Sequence, residues 1–165
     1  MKVTALLVTA ACAVSVSAGS FFGGQQVIAS DYPVPGDNPL DFCADPKDYT
    51  IEIKNVDLAP NPPKAGETLS IKASGTIKEK IEEGATIHLQ VKYGLITLIN
   101  QQADLCEHLS EVDLECPLEK GDMDLTKDVD LPKQIPPGKY TVLADVFDKD
   151  GKRITCLTST IVFSR

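Results

Sequence analysis

The sequence predicts an antiparallel β-sandwich of immunoglobulin-like type with about seven strands and two disulfides. Three observations carry that reading. Apolar residues recur at every second position, the period of a strand with one buried face. Clusters of Pro, Gly and acidic residues break the chain between those runs. Four cysteines remain once the apolar N-terminus is set aside. No long stretch shows the 3.6-residue period of an amphipathic helix.

Residues 1–18 carry a single charge, Lys2, followed by an apolar run that ends in the small residues Ser15, Val16, Ser17 and Ala18. This is the layout of a secretory signal peptide, with cleavage expected after Ala18. The run is too short, and too rich in Ala and Thr, to span a bilayer comfortably, and no charge follows it directly, which weighs against a retained anchor. Residues 19–37 include Gly23, Gly24, Pro33, Pro35 and Gly36 with almost no periodicity, and read as a leader or propeptide. The folded domain is expected over residues 38–165, enough for one core and not for two.

Within that domain Tyr49, Ile51 and Ile53 alternate with Thr50, Glu52 and Lys54, and Leu69, Ile71, Ala73 and Ile77 follow. Ile87, Leu89, Val91 and Tyr93 alternate with His88, Gln90 and Lys92, and residues 95–99 count as a separate strand. Met123, Leu125, Val129 and Leu131 alternate with Asp124, Asp128 and Asp130; Tyr140, Val142, Ala144 and Val146 make a further strand. Residues 148–151, Asp-Lys-Asp-Gly, supply a hairpin turn into a last strand through Ile154, Cys156, Ile161 and Phe163. Breakers fall at 60–66, 82–84 and 132–138.

The formal net charge is −8, and loss of residues 1–18 with Lys2 makes it −9. So acidic a surface argues against nucleic acid and against adsorption to anionic membranes through bulk charge. Cys12 leaves with the signal, and Cys43, Cys106, Cys116 and Cys156 form an even set in a secreted chain. Three pairings are open, and the short separation of Cys106 from Cys116 favours joining those two and leaving Cys43 to Cys156. A zinc site is disfavoured, because no Cys-x-x-Cys or neighbouring His pair is present.

Catalytic constellations are missing from the sequence. There is no Gly-x-Ser-x-Gly elbow, phosphate loop or His-Glu-x-x-His, and His88 and His108 stand alone. The acidic run from Asp122 to Asp130 lacks the glycine and terminal glutamate of a calcium loop and reads as the wet face of a strand. Neither an enzyme nor a bound cofactor or metal is expected. One run suggests a ligand: residues 93–99, Tyr-Gly-Leu-Ile-Thr-Leu-Ile, break strict alternation and are nearly all apolar. Such a run is either buried on both sides or lines a ligand mouth; the residues by themselves favour burial.

The order of parts adds to this. A secretory signal, a Pro-rich leader, Asn38-Pro-Leu-Asp-Phe-Cys43, Lys64-Ala-Gly-Glu67, an apolar strand into Cys106, Cys116-Pro117, Ile135-Pro-Pro-Gly-Lys-Tyr140 and Cys156 resemble the ML (lipid-recognition) domain family over the whole folded unit, most closely its fungal phospholipid-transfer branch. The resemblance implies two sheets standing apart with a lipid's apolar part between them, and the same disulfide pairs, Cys43 with Cys156 and Cys106 with Cys116. The ligand it implies is a phospholipid, such as phosphatidylglycerol or phosphatidylinositol, or a sterol. Sterol carriers of that family have a third, short disulfide early in the domain, where residues 60–64 here have no cysteine, which counts against a sterol preference.

Carried across by position, Leu98 and Ile135 are expected at the pocket mouth. On inward parity Ile53, Ile71, Leu89, Val91, Tyr93, Val142 and Val146 are expected as walls, the plainer reading of each being an ordinary core residue. Lys133, Lys139, Lys152 and Arg153 are the cations available to an anionic headgroup. The expected protein is a monomer that touches membranes transiently, in the medium or the vacuole lumen. The rival reading is a secreted immunoglobulin-like interaction module with a solid core.

Overall fold

The computed structural model describes residues 32–164. The expected signal, residues 1–18, and most of the expected leader lie outside the described residues.

Eight strands form two antiparallel sheets: β1 (Leu40–Phe42), β2 (Ile51–Ala59), β3 (Thr68–Ile77), β4 (Thr86–Tyr93), β5 (Ile96–Asp104), β6 (Gly121–Asp130), β7 (Gly138–Phe147) and β8 (Arg153–Phe163). The larger sheet has the order β1-β8-β7-β4-β5 and the smaller β2-β3-β6. Seven of these strands coincide with the alternating runs in the sequence. The eighth, β1, is too short to show a period and is recruited by pairing Leu40 with Ser159 and Phe42 with Leu157.

Residues 32–37 belong to this fold, although their composition announces only a leader. Val34 is buried, and Val56 and Leu58 donate their backbone N–H groups to the carbonyls of Pro35 and Asp37. Asn38 fixes the junction: its amide donates to the carbonyl of Val56 at 2.7 Å, while its side-chain oxygen accepts from the Leu40 N–H at 2.8 Å.

Hairpin β7–β8 closes on Asp148, whose carboxylate accepts from the N–H groups of Asp150 and Lys152. Gly151, at φ +82°, supplies the left-handed residue such a turn needs. Between β5 and β6 one short helix, α1 (Leu105–Leu109), is capped by Asp104, which accepts from the N–H groups of Cys106 and Glu107. Cys106 is bonded to Cys116, and Cys43 to Cys156 across 113 residues.

One end of the sandwich is sealed. Ile77, Ile81, Ala85, Leu109, Leu118, Val146 and Ile154 are buried together there, with Ile81 and Leu118 locked by an antiparallel bridge. A second cluster, Val34, Phe42, Tyr49, Val56 and Cys156, closes the β1 side. The opposite end, where β4 turns into β5 and β6 runs into β7, has no comparable plug.

Candidate functional site

Between the sheets lies a cavity of about 250 Å³ whose exposed lining is apolar. Strand β2 contributes Ile51, Ile53 and Val56; β3 contributes Ile71, Ala73 and Gly75; β6 contributes Met123 and Leu125; Leu40 and Leu157 face them from the larger sheet. Cross-strand register explains the convergence: Ala73 stands opposite both Val56 and Leu125, so all three side chains leave the small sheet on one face. A bulge between Ile53 and Asn55 restores the parity that brings Val56 inward beside Ile53. A void of this size, sealed and empty, costs on the order of 6 kcal/mol at about 24 cal/mol per Å³. That is comparable to the whole stability of a small domain.

A larger surface hollow, about 590 Å³, lies beside β1 and is lined by Tyr32, Pro33, Lys47, Glu52 and Lys78 among others. Its prolines and charged groups do not suit an acyl chain. The smaller cavity is the one whose chemistry is uniform.

At the unplugged end of the larger sheet, Tyr93, Tyr140 and Phe163 form an aromatic row, with centroids 5.0 Å and 5.5 Å apart. The pairings of Tyr93 with Tyr140 and of Leu89 with Ala144 put this row on the face that Leu157 presents to the cavity. The hydroxyls of Tyr93 and Tyr140 donate to the carbonyls of Pro137 and Pro136, each at 3.0 Å. These bonds tie the 132–137 loop to the rim.

The 95–99 run corrects the reading of burial. Leu95 is 100% exposed, Ile96 63% and Leu98 55%, with Ile99 also exposed. The physical reason is the sheet edge: β5 pairs only with β4, and its hairpin with β4 projects past the sandwich. Leu98 falls at a bulge, between the pairs Val91–Ile99 and Lys92–Thr97.

The other expected residues divide by position. Ile53 and Ile71 line the cavity. Leu89, Val91 and Val142 lie on the same face in register, and Tyr93 at its rim. Val146 departs from its expected place as a wall: it is buried in the sealed-end cluster beside Ile77 and Ile154. Ile135 is half-buried in the loop between β6 and β7. Missed by position were Leu40, on the strand too short to read, and Val56, whose parity the bulge inverts. Met123 and Leu125 were legible as one strand face.

Cations are distributed unevenly. Lys152 pairs with Glu79 at 2.6 Å, and Arg153 makes a two-pronged contact with Asp145 at 2.8 Å, both at the sealed end. The Asp145 carboxylate raises the Arg153 pKa, and the guanidinium lies 5.2 Å from the Phe147 ring centre. These two expected headgroup cations are therefore committed elsewhere. Lys133 and Lys139 remain at the open end, with Lys133 packed against Gly66. Among the described residues, no group of three or more His, Cys, Asp or Glu side chains is placed to hold a metal.

Comparison with known proteins agrees with this architecture. The model of the ML domain family matches residues 37–163. A phosphatidylglycerol/phosphatidylinositol transfer protein of Emericella nidulans is 61% identical over 155 residues, covering 93% of this chain and 92% of the relative. The protein of that name from Aspergillus fumigatus is 63% identical over 140 residues, covering 84% and 80%. Among solved structures, a Niemann-Pick type C2 protein from Japanese carpenter ant superposes with a TM-score of 0.52 at 10% identity, over 76% of this chain and 98% of that one, which speaks to the fold alone. With a family model spanning the whole sandwich and relatives sharing more than half of its residues, the chain belongs to the ML domain family.

Proposed function

We propose that this protein binds a phospholipid, with phosphatidylglycerol and phosphatidylinositol as its ligands, and carries it between membranes without making or breaking a bond. The single observation that carries this reading is the apolar cavity between the sheets, in a chain closely similar to phosphatidylglycerol/phosphatidylinositol transfer proteins. Burial of each CH₂ is worth about 0.8 kcal/mol against water. A tail leaving a bilayer for the cavity exchanges one apolar environment for another, so the transfer is nearly neutral. A carrier needs that balance in order to release its cargo.

The rim supplies the docking face in this reading. Leu95, Ile96 and Leu98 enter the membrane surface while Lys133 and Lys139 offset the acidic surface of the rest of the chain. The protein acts as a monomer, its signal peptide ends at residue 18, and it works in the medium or the vacuole lumen. Its two disulfides fit an oxidising compartment.

Native mass spectrometry after incubation with vesicles of phosphatidylglycerol, phosphatidylinositol or ergosterol tests the reading. One phospholipid per protein is the expected adduct. Bare protein with every lipid would overturn the carrier in favour of an interaction module with a solid core.

A further inference from the structure

We propose that Lys127, on β6, holds the phosphate of the bound phospholipid and so makes the cavity selective for lipids that carry one. The inference rests on the carrier reading and names the residue that would read the headgroup.

Strand register places Lys127 on the cavity side. It stands opposite Ile71, as Leu125 stands opposite Ala73 and Met123 opposite Gly75, and the five neighbours named with it all line the cavity. Alternation along β6 is strict: Asp122, Asp124, Thr126 and Asp128 are exposed, and Met123, Leu125 and Lys127 are half-buried. Lys127 is thus the one cation in a stripe of apolar side chains that runs from Met123 to Val129. It lies two residues, roughly 7 Å, beyond Leu125 toward the open end.

A lysine on such a face is costly unless its charge is met. Among the described residues its ammonium has neither an ion pair nor a hydrogen bond, whereas Lys54, on neighbouring β2, is bound to Asp122 at 2.7 Å. The acids of β6 do not answer it, because their parity sends them to the opposite face. A four-carbon stem lying along apolar side chains, with the charge carried to the rim, suits an anion attached to an apolar body. A phosphodiester at the top of two acyl chains has that form. Lys92, Lys133 and Lys139, at the same end, are likewise without a printed carboxylate partner among the described residues, so the rim as a whole is positive in an acidic protein.

The test compares wild type, Lys127→Met and Lys127→Arg in uptake from vesicles doped with dioleoyl phosphatidylglycerol or with dioleoylglycerol, which has the same chains and no phosphate. Wild type is expected to favour the phosphatidylglycerol. Lys127→Met should lose about tenfold in that uptake, the range of one charge-assisted contact, and Lys127→Arg should keep it. Uptake of dioleoylglycerol by all three shows that the cavity is intact. Equal uptake of phosphatidylglycerol by wild type and Lys127→Met overturns the assignment. If Lys127→Met also self-associates, its inward charge is an edge guard for β6 and not a headgroup contact. Failure of wild type to take up either lipid overturns the carrier reading and this inference with it. Excess inorganic phosphate should leave uptake unchanged; inhibition to the level of Lys127→Met would reassign the site to a free anion.

Discussion

Tyr93 packs directly on the backbone of Gly138: a β-carbon there would stand 2.5 Å from its Cε2 and 2.9 Å from its hydroxyl oxygen. Gly138 also holds φ +149°, a conformation that L side chains rarely adopt. The contact seats the aromatic row and, through the bond from Tyr93 to Pro137, the rim loop. Gly138→Ala is therefore expected to cost about 1–3 kcal/mol, the usual range for overpacking, and to slow lipid exchange by displacing the rim. Thermal melts and vesicle-to-vesicle transfer check both. Adding Tyr93→Leu should return part of the stability; a neutral Gly138→Ala would show that the ring is not held there.

The exposed hairpin makes a prediction with opposite consequences for stability and function. Leu95 and Leu98 contact water, so Leu95→Asp and Leu98→Asp should leave the melting temperature within a degree or two, as surface changes usually do. Each should weaken vesicle association about tenfold, because an apolar side chain that would enter the membrane is replaced by a charge. Cosedimentation with vesicles measures this. Undiminished association of the double variant would remove the hairpin from the docking face.

Filling the cavity should separate binding from folding. Ala73 lies centrally on β3, between Val56 and Leu125 in register. Ala73→Leu adds apolar volume to a void that costs stability when empty, so the lipid-free protein should gain on the order of 1 kcal/mol, a few degrees in Tm. Lipid uptake should fall by the same substitution. A variant that is both less stable and still loaded would mean that the sheets part freely and the cavity is not a fixed volume.

How far these sites were legible follows from particular residues. Parity in β2, β3, β4 and β7 is strict enough that Ile53, Ile71, Leu89, Val91 and Val142 can be assigned to one face from spacing alone. Parity failed wherever a bulge intervened, as at Val56 and at Leu98, because one extra residue inverts the face of everything beyond it. It was also blind to depth: Val146 shares a face with Val142 but lies under the Ile81–Leu118 bridge, so it is core and not wall. Exposure of Leu95 and Ile96 was unreadable, since an apolar run at an edge strand has the same composition as one in the middle of a sheet. Lys127 was in plain view between Leu125 and Val129, but its neighbours in the acidic run drew the eye to charge and away from alternation.

Acid stability has a defined sign. The bond from Lys54, with a second from Thr76, lowers the Asp122 pKa; the Asp37 N–H, with the Asn55 amide, lowers that of Asp57; Lys149 lowers that of Glu82. A carboxylate whose folded pKa is depressed stabilises the fold fully above its unfolded value, about 4, and loses that contribution as pH falls through the folded value. The melting temperature should accordingly be insensitive to these groups between pH 7 and pH 5 and decline below about pH 4. Asp122→Asn should flatten part of that acid limb. Equal acid limbs in the variant and wild type would show that the Lys54 pair contributes nothing.

The two disulfides differ in what they constrain. Cys43–Cys156 joins residues 113 apart and pins β1 with the 32–37 segment to β8, whereas Cys106–Cys116 joins residues 10 apart around α1. In the chain-entropy model the long loop is worth roughly 5 kcal/mol and the short one about 3. Replacing both cysteines of the long bridge should therefore cost more stability, measured by denaturant unfolding. It should also loosen the side of the cavity that Leu40 closes, raising lipid exchange before the fold is lost. Replacing Cys106 and Cys116 should cost less and leave the cavity wall in place, because that bridge sits beyond the sealed-end cluster of Leu109 and Leu118. A larger loss from the short bridge would mean that α1 and its plug, rather than the closure of the chain on itself, hold the sandwich together.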